Sequence, residues 1–420
     1  MKILHLMRQD TGGTGGAFGV AIDIHKGMKK AGVQSRIGVA EKNSRNDDVI
    51  QIYTSTHRWQ RTIRRRLFYY TVGRRIKKTS WFNVDIDFAG LSASRILSAV
   101  GEKPDFIFVH FAADFLTPQL LYELHRLTRA PVVWILVDLM PLTGGCHYAF
   151  DCRKYETECS ACPLLHSTKR KDWAFFNWQQ RLRYFEKMDL TIVTCCSWLT
   201  QIAQQSRLVA NKPIFQIMLP VDPELYKPGD KDLARQKLGL PLDKTILYFG
   251  AHSLTDPRKG VRHVLDALLI LFEDEKLRHQ LFVTFAGRNG EELEMDLELP
   301  FKNLGFLKGR RDVATAYQAC DIFISPSIQD AGPLMVNQAI MSGTPVVAFD
   351  VGVAQDLVIS GKTGYRAIPE SSQDLAMGIK RICKMSKREY NKLEKNCRKL
   401  ALELCHPQKQ TQAYLDILKC

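Results

Sequence analysis

Four cysteines and a histidine fall within one short run, TGGCHYAFDCRKYETECSACP, from Thr143 to Pro163. Cys146, Cys152, Cys159 and Cys162 are spaced C-x5-C-x6-C-x2-C. The last pair has the tight spacing of a zinc knuckle, and four thiolates suit a closed tetrahedral site of structural zinc. A disulfide pair and reduced, unliganded thiols are the other readings. His147 adjoins Cys146 and can replace one thiol or face a ligand instead. The expectation is a loop stapled by a metal ion, zinc or another, rather than a set of catalytic thiols. The other cysteines are scattered, as buried small hydrophobes would be.

Three further stretches have the residue types of an anion site. HSLTDPRKG (His252–Gly260) sets Arg258 and Lys259 just before a glycine and a helical pattern. Two fixed cations beside a helix start would hold a diphosphate. SPSIQDAGPLMVNQA (Ser325–Ala339) follows a strand pattern with Asp330 and then Gly332, Pro333 and Leu334, which open a helix carrying Gln338. Backbone N–H groups at such a helix start can meet phosphate or sugar hydroxyls. TGGTGGAFGVA (Thr11–Ala21) follows the first strand, and Gly15 and Gly16 let the backbone approach a ligand. That turn is an imperfect dinucleotide fingerprint, because Phe18 stands where a third small residue is expected. Phosphate contact and a simple tight turn both remain open there.

These residues need a scaffold that presents the ends of strands. The chain alternates short apolar, β-branched runs with helical stretches: KILHLM, QSRIGVA, DFIFVHF, PVVWILVD and DLTIVTCC, then KTILYFGA, QLFVTFAG, DIFISPS and TPVVAFD. Runs apolar on both faces suit buried parallel strands. In the first helix Val20, Ile24 and Met28 share one face. Two successive series predict an α/β protein with two doubly wound, Rossmann-like domains facing a central cleft, with ligands at the carboxyl ends of the strands. The expected domains are 1–220 and 221–404. They join near the proline-rich Leu219–Lys231, and a last helix over about Lys387–Leu418 has a final part, 405–420, that packs back on the first domain.

The chain of 420 residues is 45% hydrophobic and 25% charged, an ordinary globular balance. No apolar run is long enough to span a bilayer, and the N-terminal MKILHLMRQD reads as a strand rather than a secretory signal. A cytoplasmic location is expected. The net charge is +15 and uneven: Arg58–Lys78 holds nine Lys or Arg and no acid, interleaved with Trp59, Phe68, Tyr69 and Tyr70. Cations mixed with aromatics suit an anionic membrane surface. A solvated helix is the plainer reading. Nucleic acid is the weaker partner, because no nucleic-acid-binding signature accompanies the patch.

Several of these stretches together resemble the retaining glycosyltransferases of family 4, which have the two-domain GT-B fold. Asp330, Pro333, Gln338 and Ala339 stand in the register of the family's E-x-x-P-x-x-x-x-E-A pattern. AYQACDIFISPS precedes it, SGTPVVAFDVGVAQDLVISGKTGY follows it, and GAHSLTDPRKG resembles the phosphate-binding segment. ILVDLMPLTGGCHY (Ile135–Tyr148) and SWLTQIAQQS are similar to a polysaccharide-assembly branch that carries the cysteine loop.

The resemblance implies transfer of a sugar, with retention, from a nucleotide diphosphate sugar to a lipid-linked or saccharide acceptor in surface polysaccharide synthesis, at the inner face of the plasma membrane. It implies no catalytic metal. Asp138, Asp330, Arg258 and Lys259 would be catalytic. Gly15, Gly16, Gly332, Pro333, Leu334 and Gln338 would join Arg258, Lys259 and Asp330 in holding the donor. Three departures stand out. Asp330 is shorter than the usual Glu, Gln338 lacks the charge of the ribose-binding Glu, and Val137 replaces the His that precedes Asp138. His110 and His147 are the candidates for that missing His on the acceptor side, with Gly15. A non-catalytic homologue that binds nucleotide sugar, or a nucleotide-sugar epimerase, is the competing expectation.

Overall fold

A computed structural model describes residues 1–10, 16–71, 81–294 and 299–419. The chain divides into two compact units, Met1–Cys195 with Leu199–Ile217, and Cys196–Trp198 with Met218–Cys420.

The first unit carries a seven-stranded sheet, β1 (Lys2–Gln9), β2 (Gln34–Glu41), β3 (Val49–Gln51), β4 (Phe106–Val109), β5 (Val132–Ile135), β6 (Leu190–Thr194) and β7 (Ile214–Gln216). Its order is β3-β2-β1-β4-β5-β6-β7, and every pair is parallel. The second unit repeats the plan with β8 (Thr245–Ser253), β9 (Leu281–Arg288), β10 (Phe301–Asn303), β11 (Ile322–Ser325), β12 (Val346–Phe349) and β13 (Gly364–Ala367) in the order β10-β9-β8-β11-β12-β13, again all parallel. Both sheets reverse their winding beside the first strand, between β1 and β4 and between β8 and β11. Ligands of doubly wound sheets bind at the carboxyl ends of such a pair.

The strand runs read from the sequence lie where they were expected. β5 and β12 are buried at every residue, as strands covered on both faces must be. The core of the second unit packs Leu247, Phe249, Val283, Phe285, Ile324 and Val347 against Val264, Leu268 and Ile379 of flanking helices. The edge strands β3, β7 and β10 have three residues each and keep partial exposure, so their sequence carries little apolar signal.

Two expectations about the C-terminus need correction. The long last helix is two helices, Lys387–Leu404 and Pro407–Ile417. Pro407 has no N–H to continue the first and sits at the start of the second, which His406 caps. The contacts group 405–420 with the second unit, not the first. Among the described residues no helix is long and apolar enough to cross a membrane.

Candidate active site

In the second unit β8 ends in a register shift between Gly250 and Ser253, and the chain turns through a single helical turn, Pro257–Lys259. Asp256 caps that turn, its side chain accepting the Arg258 N–H at 3.1 Å. The Arg258 guanidinium folds back, donating to Asp256 Oδ2 at 2.5 Å and to the Gln329 carbonyl at 3.3 Å. Arg258 is therefore buried and braces the loop after β11, which also donates the Ile328 N–H to the Arg258 carbonyl at 2.8 Å. Lys259 reaches the other way and pairs with Asp330. The two cations read together from the sequence have separate jobs here: one holds the loop, the other stands at the ends of β8 and β11.

Gly260 is required by that arrangement. Its φ is +61°, and a Cβ there would lie 2.0 Å from the Pro326 carbonyl oxygen. Gly352, at φ +58°, likewise lets a neighbouring turn approach within what would be 2.3 Å of the Asp330 carbonyl oxygen. Asp330 Oδ1 accepts the Gly332 N–H at 3.3 Å, which turns the loop toward Pro333 and the helix Leu334–Met341. No side chain caps that helix; its Val336 N–H bonds to the Pro333 carbonyl at 2.8 Å, and a helix start without a side-chain cap suits an anion. Gln338 lies further along the same helix. It is buried, and its Oε1 accepts the Tyr317 hydroxyl at 3.4 Å.

In the first unit Asp138 follows β5 and is buried. Its Oδ1 accepts the Met140 N–H at 3.0 Å, and its Oδ2 lies 2.6 Å from His147 Nδ1. The His147 ring stacks on Phe111 at 5.5 Å, and its main chain is fixed by bonds to Leu139 and Trp81. A carboxylate on Nδ1 sets the ring's orientation and leaves Nε2 as the atom able to reach a ligand. His110, the other candidate, does not share this position. It extends the β1–β4 ladder through the Leu6 carbonyl, and its ring turns inward, Nε2 at 2.9 Å from His5 Nδ1. Burial, which penalises the charged imidazolium, lowers the pKa of His110 to about 3 and that of His5 well below the usual histidine value. His110 is thus a neutral core residue. Gly15 lies outside the described residues; Gly16, at φ +78°, opens the helix Gly16–Lys30.

The cysteine loop brings Cys146, Cys152, Cys159 and Cys162 within electrostatic reach of one another. Its four thiols are free, and among the described residues no three His, Cys, Asp or Glu side chains are grouped to hold a metal ion. Burial pushes the Cys146 thiol up to about 12 and raises that of Cys159 as well. The loop is pinned by residues that the sequence reading missed. Arg181, 1% exposed, forms a two-pronged ion pair with Asp85 at 2.7 and 2.8 Å and donates to the Met140 and Thr143 carbonyls. Asn177 donates to the Asn83 and Gly144 carbonyls at 2.8 and 2.9 Å. Gly144 and Gly145 admit this contact, since a Cβ on either would meet a main-chain oxygen at 2.4 Å. The signal available was the helix Trp173–Phe185 itself, where Asn177 and Arg181 are polar at i and i+4 on a buried face.

Residues 230–400 match the family described as Glycosyl transferases group 1. D-inositol 3-phosphate glycosyltransferase 1 of Catenulispora acidiphila is 34% identical over 156 residues, which are 34% of this chain and 37% of that protein. The chain thus aligns with less than half the length of the curated relatives it matches. Two solved structures share the fold over the whole chain. Anabaena HepE in complex with UDP and glucose has a TM-score of 0.65 at 18% identity, covering 100% of this chain and 99% of that one. Sucrose-phosphate synthase from Thermosynechococcus elongatus has a TM-score of 0.69 at 16% identity, covering 100% and 98%. Two parallel-sheet, Rossmann-like domains of the GT-B kind are therefore the architecture of this protein.

Proposed function

We propose that the chain is a glycosyltransferase that takes a sugar from a nucleoside diphosphate sugar and transfers it, with retention, to a lipid-linked or saccharide acceptor in surface polysaccharide synthesis. One observation carries the reading. The stretch that matches the glycosyltransferase family, 230–400, is the stretch in which Lys259, Asp330 and the uncapped helix Leu334–Met341 gather at the ends of β8 and β11. In the transfer the bond between the anomeric carbon and the diphosphate oxygen breaks, a bond to an acceptor hydroxyl oxygen forms on the same face, and the hydroxyl's proton passes to the departing diphosphate. The charge that grows on the leaving diphosphate is met by Lys259 and the helix N–H groups, which are in place before the reaction starts. Asp330 holds Lys259 until the donor arrives and then contacts donor hydroxyls. Gln338, bonded to Tyr317, sets the depth of the nucleotide pocket rather than adding a charge to it. His147, oriented by Asp138, takes the role of the histidine that Val137 replaces.

The test is calorimetric titration of the full chain with a panel of nucleoside diphosphates and their sugars, followed by turnover with saccharide and lipid-linked acceptors. One nucleotide series should bind, and at about 100 times its Kd it should add about 2.7 kcal/mol of stability. Lys259→Ala should lose that binding. His147→Ala should keep it and lose about 10²-fold in turnover, the size of a positioned catalytic contact. A protein that binds a nucleotide sugar yet releases no diphosphate with any acceptor would instead be the binding homologue that Val137 and Gln338 suggest. Binding to no member of the panel would overturn the whole reading.

A further inference from the structure

The helix Ser55–Thr71 lies on the first unit with none of its residues buried. One face holds it there. Arg61 and Arg65 both pair with Asp114, at 3.2 and 3.3 Å, and the Phe68 ring packs on Phe88 and Trp173 at 5.4 and 5.0 Å. The opposite face is apolar and open to solvent. Trp59, Ile63, Leu67 and Tyr70 are 66%, 45%, 60% and 70% exposed. Their spacing of four, four and three places them within roughly 80° of the helix circumference. The helix STHRWQRTIRRRLFYYT contains no acidic residue; Arg66 borders the stripe and Arg58 lies further round the helix, both exposed.

An exposed row of large apolar side chains costs solubility and needs an occupant. We infer that this face seats the protein on an anionic lipid bilayer, with Trp59, Ile63, Leu67 and Tyr70 in the interface and Arg58 and Arg66 among the headgroups. Tryptophan and tyrosine suit the boundary between water and acyl chains, and arginine suits lipid phosphate. Charge complementarity selects this occupant. A second copy would bring the same arginines against each other in a chain whose net charge is already +15. Nucleic acid would leave the apolar stripe in water. The face deepens the transferase reading by naming where a lipid-linked acceptor is met. The lipid assay contains no sugar donor, so its failure and the failure of that reading are separable.

The experiment is flotation of the full chain with vesicles of phosphatidylcholine alone, or with roughly a third phosphatidylglycerol, in about 0.1 M salt. Binding to the anionic vesicles should be about tenfold tighter than to the neutral ones, and brominated acyl chains should quench Trp59. Ile63→Asp and Leu67→Asp should each weaken binding about tenfold. Neither touches the Asp114 or Phe68 contacts, so helical content and thermal unfolding should match the parent. Binding that both substitutions leave intact would overturn the proposal, as would no binding to anionic vesicles. Retention of a single-stranded RNA oligomer in place of vesicles would assign the surface to nucleic acid and overturn it too.

Discussion

Substituting Gly260 by alanine should destabilise the second unit more than the same change at Gly361, and the difference follows from geometry. Both glycines are left-handed, at φ +61° and +78°, so both variants lose about 1 kcal/mol from backbone conformation alone. At Gly361 nothing lies within 4 Å of the added Cβ, and the cost stops there. At Gly260 the Cβ would stand 2.0 Å from the Pro326 carbonyl oxygen and 3.0 Å from its carbon. A relaxed carbon–oxygen contact needs about 3.3 Å, so the turn must move by more than about 1 Å. No flexible side chain can absorb that shift. One partner is main chain at the end of β11, and the turn is tied to the same loop by the bond from Ile328 to Arg258. Overpacking of this kind costs about 1–3 kcal/mol more. Calorimetry of the full chain should therefore show Gly361→Ala lowering the second unit's Tm by about 2–4 °C and Gly260→Ala by roughly twice that or more. Nucleotide binding should fall about 10²-fold in Gly260→Ala, because Lys259 moves with the turn, and stay at the parent level in Gly361→Ala. Equal losses of stability in the two variants would refute the argument from close approach.

Asp85→Ala should cost the first unit about 3–5 kcal/mol in chemical denaturation, because it leaves the Arg181 guanidinium buried without its carboxylate. Stability should also depend on pH through the His5–His110 pair. Both folded pKa values lie below the unfolded value near 6.5, so the stabilisation is full above that pH and is lost as pH falls toward about 3 for His110. At one unit below 6.5 each histidine should account for about 1.4 kcal/mol, and His110→Gln should remove one such share from the difference between denaturation curves at high and low pH. Parallel pH profiles for parent and variant would contradict the burial argument.

Whatever depends on local spacing can be read from the chain before it folds. Apolar β-branched runs between helical stretches specify two parallel sheets, since a strand covered on both faces has no polar alternation to show. The positions just after β8 and β11 follow from the same pattern, which is why Lys259, Asp330 and Leu334 could each be placed beyond the end of a strand. The basic-aromatic character of the segment is a matter of composition, but only the fold shows that Phe68 turns in onto Phe88 and Trp173 while Trp59, Ile63, Leu67 and Tyr70 stay exposed. Partner choice belongs to the tertiary structure, because it depends on which side chains the folded sheets bring within hydrogen-bond reach. No spacing tells that Asp138 takes His147, that His110 turns in toward His5, or that Arg258 folds onto Asp256 while Lys259 crosses to Asp330. The cysteine loop shows the limit most clearly. Its spacing suggests a metal, and nothing in that spacing tells that the fold also ties the loop with Asn177 and Arg181 from a helix further along the chain and Asp85 from a segment well before it. A buried guanidinium needs a carboxylate and carbonyl oxygens around it, and only the assembled first unit brings them to one place.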